Sequence, residues 1–155
     1  MLHLNEGATR ALINLGRRMK IGVVLSQFNA TIGDQLWVGV QEILMASDCV
    51  SVERVLVPGA LEIPLMLQVL AQSKKFDGLI ALGSVIRGDT FHFEIVSLES
   101  AAGIRQVQLA YTIPIANGIL TTNTLQQAEV RALSKGRDCA QVVLDLIHQI
   151  ALHTS

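Results

Sequence analysis

The sequence has little of what a metal site or a disulfide framework requires. Its 155 residues include only two cysteines, Cys49 and Cys139, and they match neither the spacing of zinc ligands nor that of a small disulfide-bonded domain. The four histidines show no zinc-ligand spacing either; they are His3, His92, His148 and His153. We therefore expect no metal site, and the two thiols favour the reducing cytoplasm.

An excess of one charge is also missing. The formal net charge is −1, so the chain has no basic excess with which to neutralise nucleic acid phosphates. No apolar run approaches the ~18–20 residues that a membrane-spanning helix needs. The first residues place their basic cluster last and lack a long apolar core, which argues against a secretory signal. We therefore expect neither a nucleic acid nor a membrane as a partner.

Charged residues of both signs are scarce. They make up 16% of the chain and hydrophobic residues 50%, whereas a lone soluble domain usually carries about 25% charge. An unusually apolar monomer would account for this composition. A protein that buries part of its surface against copies of itself accounts for it better, so we expect a homo-oligomer.

Short apolar runs alternate with helical patterns along most of the chain. The runs, which predict strands, cover residues 21–26, 50–57, 78–86 and 114–122. The patterns predict helices over residues 32–46, 61–72, 93–110, 124–132 and 137–152, with a break near residues 135–136. The third of these helices should carry one stripe formed by Val96, Ser100, Ile104, Val107 and Tyr111. This alternation predicts an α/β fold with a parallel sheet between helices. We expect one domain over residues 19–155 and a leader over residues 1–18 that is either flexible or in contact with a neighbouring subunit.

Polar residues and glycines gather where the predicted strands end. They occupy residues 26–29, 58–62, 87–92 and 120–122. In an open parallel sheet, ligands bind outside the carboxyl ends of the strands. We therefore expect a small-molecule site at that edge of the sheet.

The segment Arg87-Gly88-Asp89-Thr90 leads from the third strand into a helix. Gly88 lets the backbone approach a ligand closely, and the N–H groups and partial positive charge of a helix start suit a small phosphate. An ordinary turn in which Asp89 or Thr90 caps the helix explains these residues equally well. The segment is not a Walker loop, which requires G-x-x-x-x-G-K-[ST].

Five further residues each allow a functional and an ordinary interpretation. His92 could relay protons, because an imidazole titrates near neutrality, or it could be a solvated residue at a helix start. Phe28 could stack on a planar heterocycle or belong to the core. Glu62 could accept hydrogen bonds from a sugar alcohol or favour the helix dipole. Arg131 and Lys135 could bind an anion or be solvated surface charges.

In order along the chain, the segments QFN, VPGALEIP, ALGSVIRGDTFHFEIVS, NGILTTNTLQQAEVRA and SKGRDCA resemble the lumazine synthase family. VPGALEIP and GSVIRGDTFHF are the most specific of them. The resemblance implies a flavodoxin-like three-layer αβα sandwich with a four-stranded parallel sheet, and leaves open an extension by an N-terminal strand. It also implies the condensation of 5-amino-6-(D-ribitylamino)uracil with 3,4-dihydroxy-2-butanone 4-phosphate. Phosphate and water leave, and no metal or organic cofactor takes part.

The same resemblance implies roles for individual residues. Phe28 corresponds to the aromatic residue that stacks on the pyrimidine, and His92 to the proton shuttle. The pyrimidine and ribityl contacts correspond to Asn29, Ala60, Leu61, Glu62, Val85, Ile86 and Asn117. The phosphate site corresponds to Gly88, Asp89, Thr90 and Arg131.

The resemblance further implies sites shared between subunits. The family arginine that matches Arg131 reaches the phosphate from a neighbouring subunit, and Asn117 and Gly118 lie in a segment that closes the pocket from that neighbour. Lys135 falls where the family has a lysine near the site. Family members form homopentamers, some of which build larger shells. We expect a pentamer with the helix over residues 93–110 along its five-fold axis, and leave larger assemblies open.

The sequence departs from the family pattern at three places. Leu61 and Asn117 stand where many members carry an aromatic residue, and the stretch between Arg131 and Lys135 is shorter than usual. Leu61 and Asn117 favour, as an alternative, a flavin-binding module without catalysis, whereas the presence of His92, Arg131 and the phosphate turn argues against it. A phospho-receiver domain would need an acidic pair after the first strand, and residues 26–29 contain none.

Overall fold

The structure, a computed structural model, describes residues 18–154. The strands in this range are β1 (Met19–Ser26), β2 (Val50–Val57), β3 (Gly78–Ile86) and β4 (Ile115–Thr122). The α-helices are α1 (Ala30–Leu44), α2 (Ile63–Gln72), α3 (His92–Tyr111), α4 (Leu125–Glu129) and α5 (Ala132–His153). The predicted leader, apart from Arg18, lies outside the described residues, and so does the N-terminal strand that was left open.

The four strands form one parallel sheet in the order β2-β1-β3-β4. β1 pairs with β2 up to Ser26 opposite Val57, and β3 pairs with β4 up to Ile86 opposite Thr122. The predicted α/β fold with a parallel sheet is confirmed. Because the strands run in the same direction, their carboxyl ends meet at one edge of the sheet.

Two apolar layers hold the sheet between its helices. Side chains alternate between the faces along a strand, so Val23 packs in the layer of α1 and α5, whereas Val24 packs in the layer of α2 and α3. Both side chains are fully buried. Strands buried on both faces are expected to be continuously apolar, as residues 21–25 of β1 and most of β3 are.

The buried face of α3 follows the predicted helical spacing. Its buried residues are Val96, Ser100, Ile104 and Val107. Tyr111, predicted to share this stripe, is the last residue of the helix and is exposed. Its hydroxyl oxygen accepts a hydrogen bond from Gln72 Nε2 at 2.9 Å, so Tyr111 joins α3 to α2 at the surface.

The predicted helix break near residues 135–136 is wrong. Helix α5 runs without interruption through Gly136. A Cβ atom on Gly136 would lie 2.1 Å from the carbonyl oxygen of Leu36 in α1, and one on Gly39 would lie 2.3 Å from the carbonyl oxygen of Leu133. Glycine therefore marks the place where α1 and α5 come into contact, and not the end of a helix.

We predict that Gly136→Ala destabilises the protein, because the added Cβ would overlap the backbone of α1. Overpacking of this kind typically costs about 1–3 kcal/mol. The urea midpoint of unfolding, measured at fixed protein concentration, reports the change. Gly88→Ala is the matched control, because a Cβ atom on Gly88 meets no atom within 4 Å. Equal midpoints for the two variants would contradict the close helix contact.

Candidate functional site

A cavity of about 460 Å³ opens where β1, β2 and β3 end, and we call it the strand-end cavity. Its wall is formed by Phe28, Asn29, Gly59, Ala60, Leu61, Glu62, Ser84, Val85, Ile86, His92 and Val96. The family resemblance implies a substrate or catalytic role for eight of these residues. Gly59 and Ser84 join them as chain neighbours of predicted residues, and Val96 lies about one helical turn after His92. The cavity has the size of a small-molecule site.

Asn29 shapes the chain after β1 so that Phe28 stays outside the core. The backbone of Asn29 is left-handed, at φ 55° and ψ 57°, a region that asparagine tolerates better than most residues. Its carbonyl oxygen accepts hydrogen bonds from the backbone N–H groups of Ile32 and Gly33 at 3.0 and 3.1 Å. Its Nδ2 donates to the carbonyl oxygen of Ser84 at 3.3 Å. Phe28 is left 71% exposed beside the cavity, where its ring can stack on a ligand.

The segment after β2 brings a carboxylate to the same cavity. Ala60–Glu62 forms a 3-10 turn, and Glu62 then occupies the N-cap position of α2 without making a side-chain capping bond. A Cβ atom on Gly59 would lie 3.0 Å from Glu62 Oε2, so glycine leaves room for the carboxylate. Leu61 adds an apolar side chain to the wall.

His92 is the first residue of α3 and lines the strand-end cavity. Phe91, and neither Asp89 nor Thr90, occupies the N-cap position, and it makes no side-chain capping bond. The hydroxyl oxygen of Thr90 accepts a long hydrogen bond from the His92 backbone N–H at 3.4 Å. Thr90 therefore caps one N–H group of the helix start weakly, as the capped-turn alternative predicts, and the partial positive charge of the same helix start suits an anion.

Residues 88–90, which we call the 88–90 turn, are exposed and do not line the strand-end cavity. They directly follow Ile86 and Arg87 at the end of β3 and directly precede the first turn of α3. Residues of the cavity wall therefore flank the turn in the sequence, with Ile86 before it and His92 after it. Its predicted part in phosphate binding stays a prediction.

A second cavity, of about 360 Å³, lies between β4 and the start of α5, and we call it the Arg131 cavity. Its wall is formed by Ile119, Leu120, Thr121, Thr122, Arg131, Ser134, Lys135 and Asp138. Neither Arg131 nor Lys135 lines the strand-end cavity. Within one chain, these two cations therefore do not share a cavity with His92.

The short helix α4 orients the side chain of Arg131. Thr124 Oγ1 accepts a hydrogen bond from the Gln127 backbone N–H, and Gln127 Oε1 accepts one from the Thr124 backbone N–H, so the two residues form a capping box. The carbonyl oxygen of Gln127 accepts a hydrogen bond from Arg131 Nη1 at 2.9 Å. A guanidinium has several further N–H groups, and these can serve an anion.

Asn117 and Gly118 lie in β4, at one edge of the described sheet. Asn117 is exposed, and its Oδ1 accepts a hydrogen bond from the backbone N–H of Ile119 at 3.0 Å. Gly118 is buried, and a Cβ atom there would lie 2.8 Å from Cys139 Sγ. Neither residue lines either cavity. Their predicted role against a neighbouring subunit stays a prediction.

Within residues 18–154, the His, Cys, Asp and Glu side chains form no group of three or more that could hold a metal ion. Every helix in the same range is too short or too polar to span a bilayer.

The sequence matches a known family over nearly all of the described residues. The family model of 6,7-dimethyl-8-ribityllumazine synthase matches residues 18–151, which include both cavities. A 6,7-dimethyl-8-ribityllumazine synthase from Methylobacillus flagellatus is 50% identical over 137 residues, covering 86% of this chain and 91% of the relative. Similar relatives with the same name come from Methylibium petroleiphilum, at 46% identity over 86% of this chain and 85% of the relative, and from a Polaromonas species, at 45% identity over 94% of this chain and 95% of the relative.

We predict that Cys139, next to the Arg131 cavity, does not react with iodoacetamide in the native protein at pH 8. Burial raises the pKa of its thiol to about 11, and only the thiolate reacts. Peptide mass spectrometry should find Cys139 modified only after denaturation, with the half-buried Cys49 as the internal comparison. Rapid modification of Cys139 in the folded protein would contradict this account.

Proposed function

The chain belongs to the 6,7-dimethyl-8-ribityllumazine synthase family, and we propose that its active site forms between two neighbouring copies. The enzyme condenses 5-amino-6-(D-ribitylamino)uracil with 3,4-dihydroxy-2-butanone 4-phosphate to 6,7-dimethyl-8-ribityllumazine. Phosphate and water are released in this penultimate step of riboflavin biosynthesis. The reaction needs a place for a flat pyrimidine with its sugar-alcohol chain, a place for a phosphate, and a group that transfers protons.

One observation carries the proposal: a single copy offers these groups in two separate cavities. Phe28 and His92 line the strand-end cavity, whereas Arg131 and Lys135 line the Arg131 cavity. If the Arg131 cavity of one copy meets the 88–90 turn of the next, one complete site results. A contact that joins two different surfaces of the same chain repeats around a ring and closes it when the rotation fits.

The strand-end cavity is the proposed site for the pyrimidine. The exposed ring of Phe28 stacks on the heterocycle, and Leu61 supplies apolar contact where many relatives have an aromatic residue. Backbone groups of Val85 and Ile86 bind the ring edge, and the Glu62 carboxylate accepts hydrogen bonds from ribityl hydroxyls. The remaining substrate contacts are assigned to Asn29, Ala60 and, from the neighbouring copy, Asn117.

The 88–90 turn is the proposed site for the phosphate of the ketone substrate. Gly88, Asp89 and Thr90 present backbone groups next to the start of α3, whose partial positive charge favours an anion. Arg131 of the neighbouring copy completes the charge compensation through its guanidinium. Lys135, one helical turn after Arg131, lies near enough to assist.

His92 is the proposed proton relay, because it lines the strand-end cavity and follows the 88–90 turn by two residues in the sequence. The 5-amino group adds to the ketone carbonyl and water leaves to give an imine. Loss of phosphate follows, and the ribitylamino nitrogen closes the ring with loss of a second water. An imidazole can accept and return a proton at each step. Holding the two substrates in a reactive geometry supplies much of the remaining acceleration.

Exposed apolar residues on α3 support self-association. On α3 and at its start they are Phe91, Ile95, Leu98 and Leu109, and on the adjacent α2 they are Leu65 and Val69. Large exposed apolar patches commonly mark protein interfaces. We infer a homopentamer with α3 along the five-fold axis, and larger assemblies are compatible with it. The cytoplasmic location stays a prediction.

We predict that His92→Ala lowers kcat by roughly ten- to a thousandfold, the scale of one acid–base group. The KM of the pyrimidine should change little, because the wall around Phe28 is retained. Lumazine absorbance with both substrates measures the rate, and His153→Ala, at the exposed end of α5, is the control. Unchanged kcat in His92→Ala would remove His92 from the mechanism. A wild type that binds a yellow chromophore without turnover would favour the flavin-binding alternative.

We predict that mixed oligomers of His92→Ala and Arg131→Ala regain activity. In an equal random mixture, about a quarter of the interfaces pair an intact His92 with an intact Arg131. The two variants are unfolded and refolded together, and the control is the same variants refolded separately and then combined. Arg131→Ala alone should raise the KM of the phosphorylated ketone more than that of the pyrimidine. Activity no greater than in the control, or an active monomer by light scattering, would refute the shared site.

A further inference from the structure

The 88–90 turn has few contacts of its own. Residues 88–91 are exposed, and a Cβ atom on Gly88 would meet no atom within 4 Å. Among the described residues, the one side-chain hydrogen bond of the turn joins Thr90 to the His92 backbone N–H at 3.4 Å. Segments with so few contacts unfold locally at a small cost in free energy. Groups outside the turn must therefore hold it if it is to bind a phosphate and place His92.

Arg87, at the end of β3, supplies such contacts. Its guanidinium forms an ion pair with Glu94 and lies 4.3 Å from the centroid of the Phe93 ring. Its Nε donates a hydrogen bond to Asn123 Oδ1 at 2.8 Å, and its backbone N–H donates to the Thr122 carbonyl oxygen at 2.9 Å. The residue that enters the turn is thus joined to the residues that follow it and to the segment between β4 and α4.

The anchor at Asn123 is itself held in place. The backbone N–H of Asn123 donates to Gln127 Oε1 at 2.8 Å, and the same oxygen takes part in the capping box of α4 with Thr124. Arg87 therefore connects the turn to a segment with defined hydrogen bonds.

From these contacts we propose that Arg87 is a positioning residue, which holds the 88–90 turn and His92 in place and does not itself bind the phosphate. The inference rests on the proposed function and deepens it. A guanidinium is planar and donates in several directions, so one side chain can meet a carboxylate, an amide oxygen and a ring face together. A lysine ammonium carries the same charge without this geometry.

Replacement of Glu94 can distinguish a positioning role of Arg87 from a phosphate-binding role. Its carboxylate compensates the charge of Arg87, and the hydrogen bond from Arg87 lowers the pKa of Glu94, so the pair stays ionised at neutral pH. The two side chains are 46% and 31% exposed, so solvent screening leaves the pair little weight in overall stability. Its loss should therefore appear in the kinetics and not in the unfolding midpoint.

Glu94→Gln is the decisive variant, because the two roles predict opposite effects. If Arg87 positions the turn, the variant should lower kcat by about 10- to 100-fold, as a displacement of about 1 Å does, and leave the KM of the pyrimidine unchanged. If Arg87 binds the phosphate, the released guanidinium should lower the KM of the phosphorylated ketone at unchanged kcat. That second result, or wild-type kinetics, overturns the proposal.

Arg87→Lys separates geometry from charge. Its kcat should fall by the same factor as that of Glu94→Gln. The kcat of the double variant should be no lower than that of either single variant, because the two residues act as a unit. Wild-type kcat in Arg87→Lys overturns the proposal. The matched control is Glu53→Gln, which removes an exposed ion pair with Lys20, of 3.0 Å, and lines neither cavity. It should keep wild-type kinetics.

Hydrogen–deuterium exchange of the assembled protein gives a readout that does not depend on turnover. The amides of residues 88–94 should exchange several-fold faster in Glu94→Gln and Arg87→Lys, and at the wild-type rate in Glu53→Gln. Unchanged exchange in this segment overturns the proposal. If the wild type forms lumazine and the Arg87 and Glu94 variants keep wild-type kinetics and amide exchange, the proposed role of Arg87 is refuted and the proposed function is not. A wild type that forms no lumazine would refute the proposed function, and this inference with it.

Discussion

The arrangement of the site depends on the burial of β1 and β3 between two layers of helices. Val23 and Val24, consecutive residues of β1, face opposite apolar layers and are fully buried. With both faces covered, polar residues fit only where the strands end, and parallel pairing brings those ends to one edge. Phe28, Glu62 and His92 meet at the strand-end cavity for this reason, although they are far apart in the chain.

The same fold leaves two surfaces of a single copy exposed. β4 lies at the edge of the described sheet and exposes Asn117 and Thr121, and α3 exposes an apolar face on the side away from the core. Uncovered sheet edges and apolar patches both favour association with another chain. In the proposed assembly, the contacts that cover these surfaces also bring Arg131 to the 88–90 turn of the next copy. Assembly and catalysis would then depend on the same surfaces.

The proposed reaction depends more on the accurate position of the substrates and site residues than on an unusually reactive side chain. Phe28 directly precedes Asn29, a left-handed residue that is hydrogen-bonded to β3 and α1, and His92 begins a helix of 20 residues. The 88–90 turn is different, because in the proposed function it has to bind and release a phosphate. A turn that is open in itself but restrained at both ends by Arg87 would meet both demands, since exchange of the ligand needs freedom and catalysis needs a defined position.

Hydrophobic periodicity and turn chemistry are local properties, so the order of the elements, the buried stripe of α3 and the polar strand ends could be predicted from the sequence. Contacts between distant segments could not. Gly136 in a helical pattern is compatible with a break or with a close contact, and only the position of α1 decides between them. In the sequence Arg87 is only a basic residue at a strand end, and its contact with Asn123 exists only in the folded chain. Likewise, only the packing of α5 against β4 places Arg131 in a cavity apart from His92, because packing between remote parts of a chain leaves no local pattern.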